Sequence, residues 1–157
     1  MPRSVEPVAR WARVTTLLLS LLGLAFATYL TIEHFGHSNL LICPRNNLFN
    51  CESVTTSAQS YFLGIPVAVL GLASFVVMTA LNTPWAWAAK WYWLHVARFL
   101  LAIGSMGFVL WLITAELVII DHICLYCTAV HVITFVLLIV LTQVSPKQLG
   151  WVANTAK

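Results

Sequence analysis

Residues 121–131 read Asp-His-Ile-Cys-Leu-Tyr-Cys-Thr-Ala-Val-His and run without a break into an apolar stretch ending near Leu141. Asp121 is a good helix N-cap, which predicts Cys124 near the third helical position and Cys127 about one turn further in. Both sulfurs then feel the positive end of the helix, a field that favours thiolate, the form that attacks disulfides, metals and electrophilic rings. A structural disulfide or half of a metal site would use the same two residues. The rest of the chain has to separate these readings.

Outward from that stretch, the chain is a membrane protein by composition. Of its 157 residues 61% are hydrophobic and 8% charged, and the mean hydropathy is +0.90, which excludes an ordinary soluble domain. A helix needs roughly 20 apolar residues to cross the hydrocarbon. Four stretches qualify, at about 14–32, 61–81, 99–120 and 123–141. With short connections between them they predict one all-α, integral membrane four-helix bundle over 1–157, with an outer loop at 33–60. An Ala25-Phe26-Ala27 step resembles a signal-peptidase site, but the apolar run continues past it, so the first span is expected to stay.

Basic residues set the orientation. Arg3, Arg10 and Arg13 precede the first span, Lys90 and Arg98 lie between the second and third, and Lys147 and Lys157 follow the fourth; only Arg45 falls on the other side. The positive-inside rule therefore puts both termini and the middle loop in the cytoplasm. The net charge of +3 records topology and carries no suggestion of nucleic-acid binding. All four cysteines come out on the opposite, oxidising face: Cys43 and Cys51 in the outer loop, Cys124 and Cys127 at the second outer turn.

Cys43 and Cys51 are separated by seven residues, a spacing that can close a small disulfide loop and does not resemble a zinc knuckle. One pair in a loop and one at a helix mouth suggest a relay by thiol–disulfide exchange. A reduced soluble partner would attack the loop pair, the loop pair would reduce Cys124–Cys127, and the electrons would leave to a membrane-soluble acceptor, for which a quinone is the obvious two-electron, two-proton candidate. His131 shares a helical face with Cys124 and Cys127 and could bond a quinone carbonyl or pass it a proton; its alternative role is packing against a neighbouring helix. A metal site of Cys124, Cys127 and His131 would need a fourth ligand and leaves the loop cysteines idle. Glu116, the one charge inside a span, is a candidate for proton delivery or simply reaches the outer interface. The aromatics of the 82–95 connection, Trp85, Trp87, Trp91, Tyr92 and Trp93, read as an interfacial belt anchored by Lys90.

These residues resemble the vitamin K epoxide reductase family in its bacterial disulfide-forming branch. The likeness rests on the Cys-x7-Cys loop pair after the first span, Ser57 six residues beyond Cys51, Gly64-Ile65-Pro66 at the start of the second span, and Cys-x-x-Cys opening the fourth. It implies a bundle around a quinone of the menaquinone, ubiquinone or vitamin K type, capped by the extracytoplasmic loop. Cys127 would then be the thiolate nearest the ring, Cys124 its resolving partner, Cys43 and Cys51 the shuttle pair, and Ser57 a residue that helps hold the acceptor. Cys43 would meet the thiol donor, a thioredoxin-fold protein expected to be separate because the chain carries no such domain. His131 stands where vertebrate members have a tyrosine, and Val67 about where they have a quinone-binding asparagine, which counts against vertebrate-type epoxide reduction and inhibitor binding; a vitamin K epoxide or quinone reductase running in the vertebrate manner is the alternative within the family. A neighbouring class of bacterial quinone reductases carries the close cysteine pair in the first outer loop instead. The reading from a different class is a non-enzymatic membrane protein with fixed disulfides.

Overall fold

A computed structural model describes residues 7–36 and 50–151. Four long helices carry it: α1 (Arg10–Gly36), α3 (Val67–Leu81), α5 (Tyr92–Thr114) and α6 (Leu125–Gln148), with short α2 (Cys51–Thr55) and α4 (Pro84–Ala88) in the connections. Three, α1, Tyr92–Ile120 and α6, are long and apolar enough to cross a membrane, and α3 is a shorter apolar helix. Side chains follow lipid rather than water: Leu18, Leu100, Leu110, Val118 and Val132 lie exposed, while buried hydroxyls bond back to their own helix. Thr16 donates to the Ala12 carbonyl, Ser20 to Thr16 and Thr134 to Val130, as polar groups must where no water is at hand. The protein is thus an all-α membrane bundle.

The buried face of α1 is Ala12, Thr16, Ser20, Gly23, Ala27 and Leu30, stepping by three or four. Small residues there let α1 approach α3 closely, and the Phe75 ring fills the place where a Gly23 side chain would stand. Helix α1 lies between α3 and α6, α6 between α1 and α5, and the α3–α5 seam is the loosest of the four. Ala27, Phe75, Met78, Ala102, Ile133, Leu137 and Leu141 form the core.

Three element boundaries differ from the sequence expectation. The second apolar stretch does not enter as helix: Tyr61–Phe62 and Ile65–Pro66 form a two-residue-turn β-hairpin, and α3 begins only at Val67. Leu63 and Gly64 both have positive φ, 52° and 81°, the geometry of a type I′ turn; Pro66, with extended backbone, is the last hairpin residue and the N-cap position of α3. At the far end of the bundle the 82–95 connection is largely helical, and Trp87 is buried rather than part of an aromatic belt, whereas Trp85, Trp91 and Trp93 are exposed. Trp87 packs under Arg98, whose guanidinium carbon stands 3.6 Å from the ring centroid. Arg98 is not a loop charge: it is fully buried in α5 and donates from Nε (2.9 Å) and Nη2 to the Leu81 carbonyl at the C-terminus of α3. Its Nη1 meets His95 Nδ1 at 3.1 Å, and since arginine only donates, that nitrogen is bare and Nε2 carries the proton bonded to the Ala89 carbonyl. Finally, α6 starts at Leu125 and runs to Gln148, beyond the expected end.

Candidate active site

Asp121 does not cap α6. It adopts left-handed backbone (φ 57°, ψ 30°) and ends a π-helical turn, Ala115–Ile120, that closes α5; aspartate tolerates this conformation better than most residues. The cap is Cys124 itself, whose Sγ accepts the backbone N–H of Cys127 at 3.4 Å. Cys124 therefore sits at the very mouth of the helix, one turn earlier than its spacing from Asp121 predicts. The Cys127 thiol bonded to Cys124, aided by the N–H groups of Tyr126 and Cys127, holds Cys124 below the ordinary thiol range against the opposing effect of burial.

The loop approaches from the other side. Asn50 caps α2, its Oδ1 accepting the Ser53 N–H at 3.1 Å, and its own N–H donates to the Ile123 carbonyl at 3.3 Å. That pins the first turn of α2 against the start of α6. Cys51, Val54 and Cys124 form one buried cluster, with Ile120, Tyr126 and Cys127 around it. Cys51 is disulfide-bonded, and Cys124 and Cys127 are free thiols. Cys43 lies outside the described residues.

Behind this junction a cavity of about 470 Å³ descends into the bundle. Cys127, Ser57, His131 and Glu116 all line it, and its deeper wall is apolar, reaching Phe75, Met78 and Leu137. His131 is nearly buried, and among the described residues its ring has no hydrogen-bond partner; it faces the cavity rather than a polar group on a neighbouring helix. The Ser57 hydroxyl donates to the Val54 carbonyl at 2.8 Å, so as it stands it offers lone pairs and must rotate to donate. Among the described residues no group of three or more His, Cys, Asp or Glu is placed to hold a metal ion. Thr55 and Gln59 also line the cavity without having been singled out in the sequence. Thr55 could have been found, being four residues after Cys51 on the same helical face; nothing marks Gln59. At the rim His34 Nε2 meets the Tyr61 hydroxyl at 3.1 Å, joining the end of α1 to the hairpin.

A dithiol at a helix mouth, touching a disulfide-bonded cysteine on one side and a largely apolar intramembrane cavity on the other, defines the class: an integral membrane protein built for thiol chemistry beside a lipid-soluble molecule. The profile of the vitamin K epoxide reductase family matches residues 14–142, and the chain belongs to that family. It is accordingly a membrane thiol–disulfide oxidoreductase of a family whose electron partners are thiols and quinones.

Proposed function

We propose that the protein takes electron pairs from an extracytoplasmic thioredoxin-fold dithiol, passes them from Cys43–Cys51 to Cys124–Cys127, and delivers them to a quinone of the menaquinone, ubiquinone or vitamin K type, so driving disulfide formation. One observation carries the reading: Cys124 is packed against Cys51 while Cys127 lines the cavity. That arrangement supports a pair in which one sulfur serves the donor side and the other the acceptor side. In this scheme Cys43 receives the partner's attack, Cys51 exchanges with Cys124, and the disulfide bond between Cys124 and Cys127 forms as the quinone is reduced. His131 bonds a quinone carbonyl and Ser57 positions the ring. The whole bundle works as one transmembrane unit in the bacterial inner membrane, with both termini cytoplasmic, as the placement of Arg10, Arg13, Lys90 and Lys147 supports.

The test is purified protein in detergent with a reduced dithiol partner and a quinone, followed by quinone absorbance. Wild type should turn over and Cys127→Ser should not. Full activity in Cys127→Ser would refute the assignment.

A further inference from the structure

The scheme above moves two electrons and two protons, yet it leaves unused a buried ionisable group beside the cysteines. Glu116 is 6% exposed on the π-helical turn. That turn lets the Glu116 backbone carbonyl accept from Asp121 and from His122, the latter at 3.2 Å, and π-turns of this kind occur frequently at functional sites. The carboxylate accepts the backbone N–H of Cys124 and interacts electrostatically with both Cys124 and Cys127. It also lines the cavity, where the other titratable residues among those described are His34, Cys127 and His131. No cation stands against it among the described residues. A carboxylate and a thiolate this close in apolar surroundings repel strongly, so the carboxyl and the thiol pair share protons.

We infer that Glu116 is the proton carrier between the Cys124–Cys127 pair and the quinone, an inference that rests on the quinone-reductase reading. The reduced site holds a Cys124 thiolate, a Cys127 thiol and a protonated Glu116. As the sulfur–sulfur bond forms, two electrons pass to the quinone together with the Cys127 proton and the Glu116 proton. The products are the quinol, the disulfide and the Glu116 carboxylate. When the loop dithiol reduces Cys124–Cys127 again, its own disulfide closes; of the two protons it releases, one stays on Cys127 and one returns to Glu116. Charge and protons balance over the cycle.

Glu116→Gln keeps an oxygen to accept the Cys124 N–H but carries no acidic proton. It should lower kcat for quinone reduction by about a hundredfold, the lower end for losing a positioned acid, with KM little changed. Exchange from the loop pair to Cys124–Cys127, measured without quinone, should slow far less than quinone reduction, because the proton released there can also leave to water at the loop, and Glu116→Asp should recover part of kcat. In wild type, the reduced-minus-oxidised infrared spectrum should show a protonated carboxyl band that shifts in D2O and is missing in Glu116→Gln. Wild-type kcat in Glu116→Gln, or a band that the variant leaves in place, overturns the proposal. So does equal loss of both half-reactions without rescue by Asp, which assigns Glu116 a purely structural role. If wild type reduces no quinone, the parent reading fails, and the infrared band still reports whether Glu116 takes up a proton when the thiols are reduced.

Discussion

Cys124 has two tasks that usually fall to different residues: it caps a helix with its sulfur, and it presents that sulfur to Cys51. Capping favours the anion, since the thiolate accepts the Cys127 thiol and N–H better than a neutral thiol does. With the loop disulfide intact and the helix pair reduced, ultraviolet thiolate absorbance should therefore appear at lower pH than for an ordinary cysteine. Cys127→Ala removes the thiol that donates to Cys124 and should move the titration upward; an unchanged midpoint would mean the hydrogen bond is not what holds the charge. His131 is expected to act on the acceptor alone. His131→Ala should raise the apparent KM for quinone about tenfold, the worth of one hydrogen bond of ~1.4 kcal/mol, and leave thiol exchange intact. A defect confined to thiol exchange would show that His131 serves the sulfurs instead. That Cys127 and His131 face the same way was legible from spacing, because an offset of four puts two residues on one helical face, and both line the cavity; Cys124, outside the helix as its cap, turns to Cys51 instead. The exact cap was not legible, because a cysteine is a rare choice there and Asp121 is the better capping residue by type.

Helix α1 depends on Gly23 for its contact with α3. A Cβ at that position would stand 2.0 Å from the Phe75 ring, and Phe75 is buried in the core. Gly23→Ala should lower stability by about 1–3 kcal/mol, visible as earlier thermal unfolding in detergent, and Phe75→Leu in the same chain should restore part of it. At the other end of α3, Arg98→Lys replaces a planar two-nitrogen grip on the Leu81 carbonyl with a single ammonium and gives up the stacking on Trp87. A loss of about 1–3 kcal/mol is expected, again read from thermal unfolding, with quinone turnover at permissive temperature unchanged because the contact lies away from the cavity. In the sequence Arg98 read as a loop charge. Only the fold brings Leu81, Trp87 and His95 around it. The hairpin was hidden for a different reason: Tyr61 to Pro66 is as apolar as the helix it precedes, and Leu at a positive-φ turn position gives no warning.

For the molecule as a whole, hydropathy and charge were enough to read an all-α membrane bundle, because lipid permits few other folds. They could not reveal the cavity, which depends on how loosely α3 meets α5. Nor could they show that Thr55 and Gln59 join its wall. Cys124 has no exposed surface at all, and this has a consequence for the traffic of electrons. Small reductants dissolved in water cannot reach that sulfur directly, and a molecule in the cavity meets Cys127 instead. On the proposed relay, Cys124 would draw current only from the loop packed against it, and stray thiols would find no direct way in.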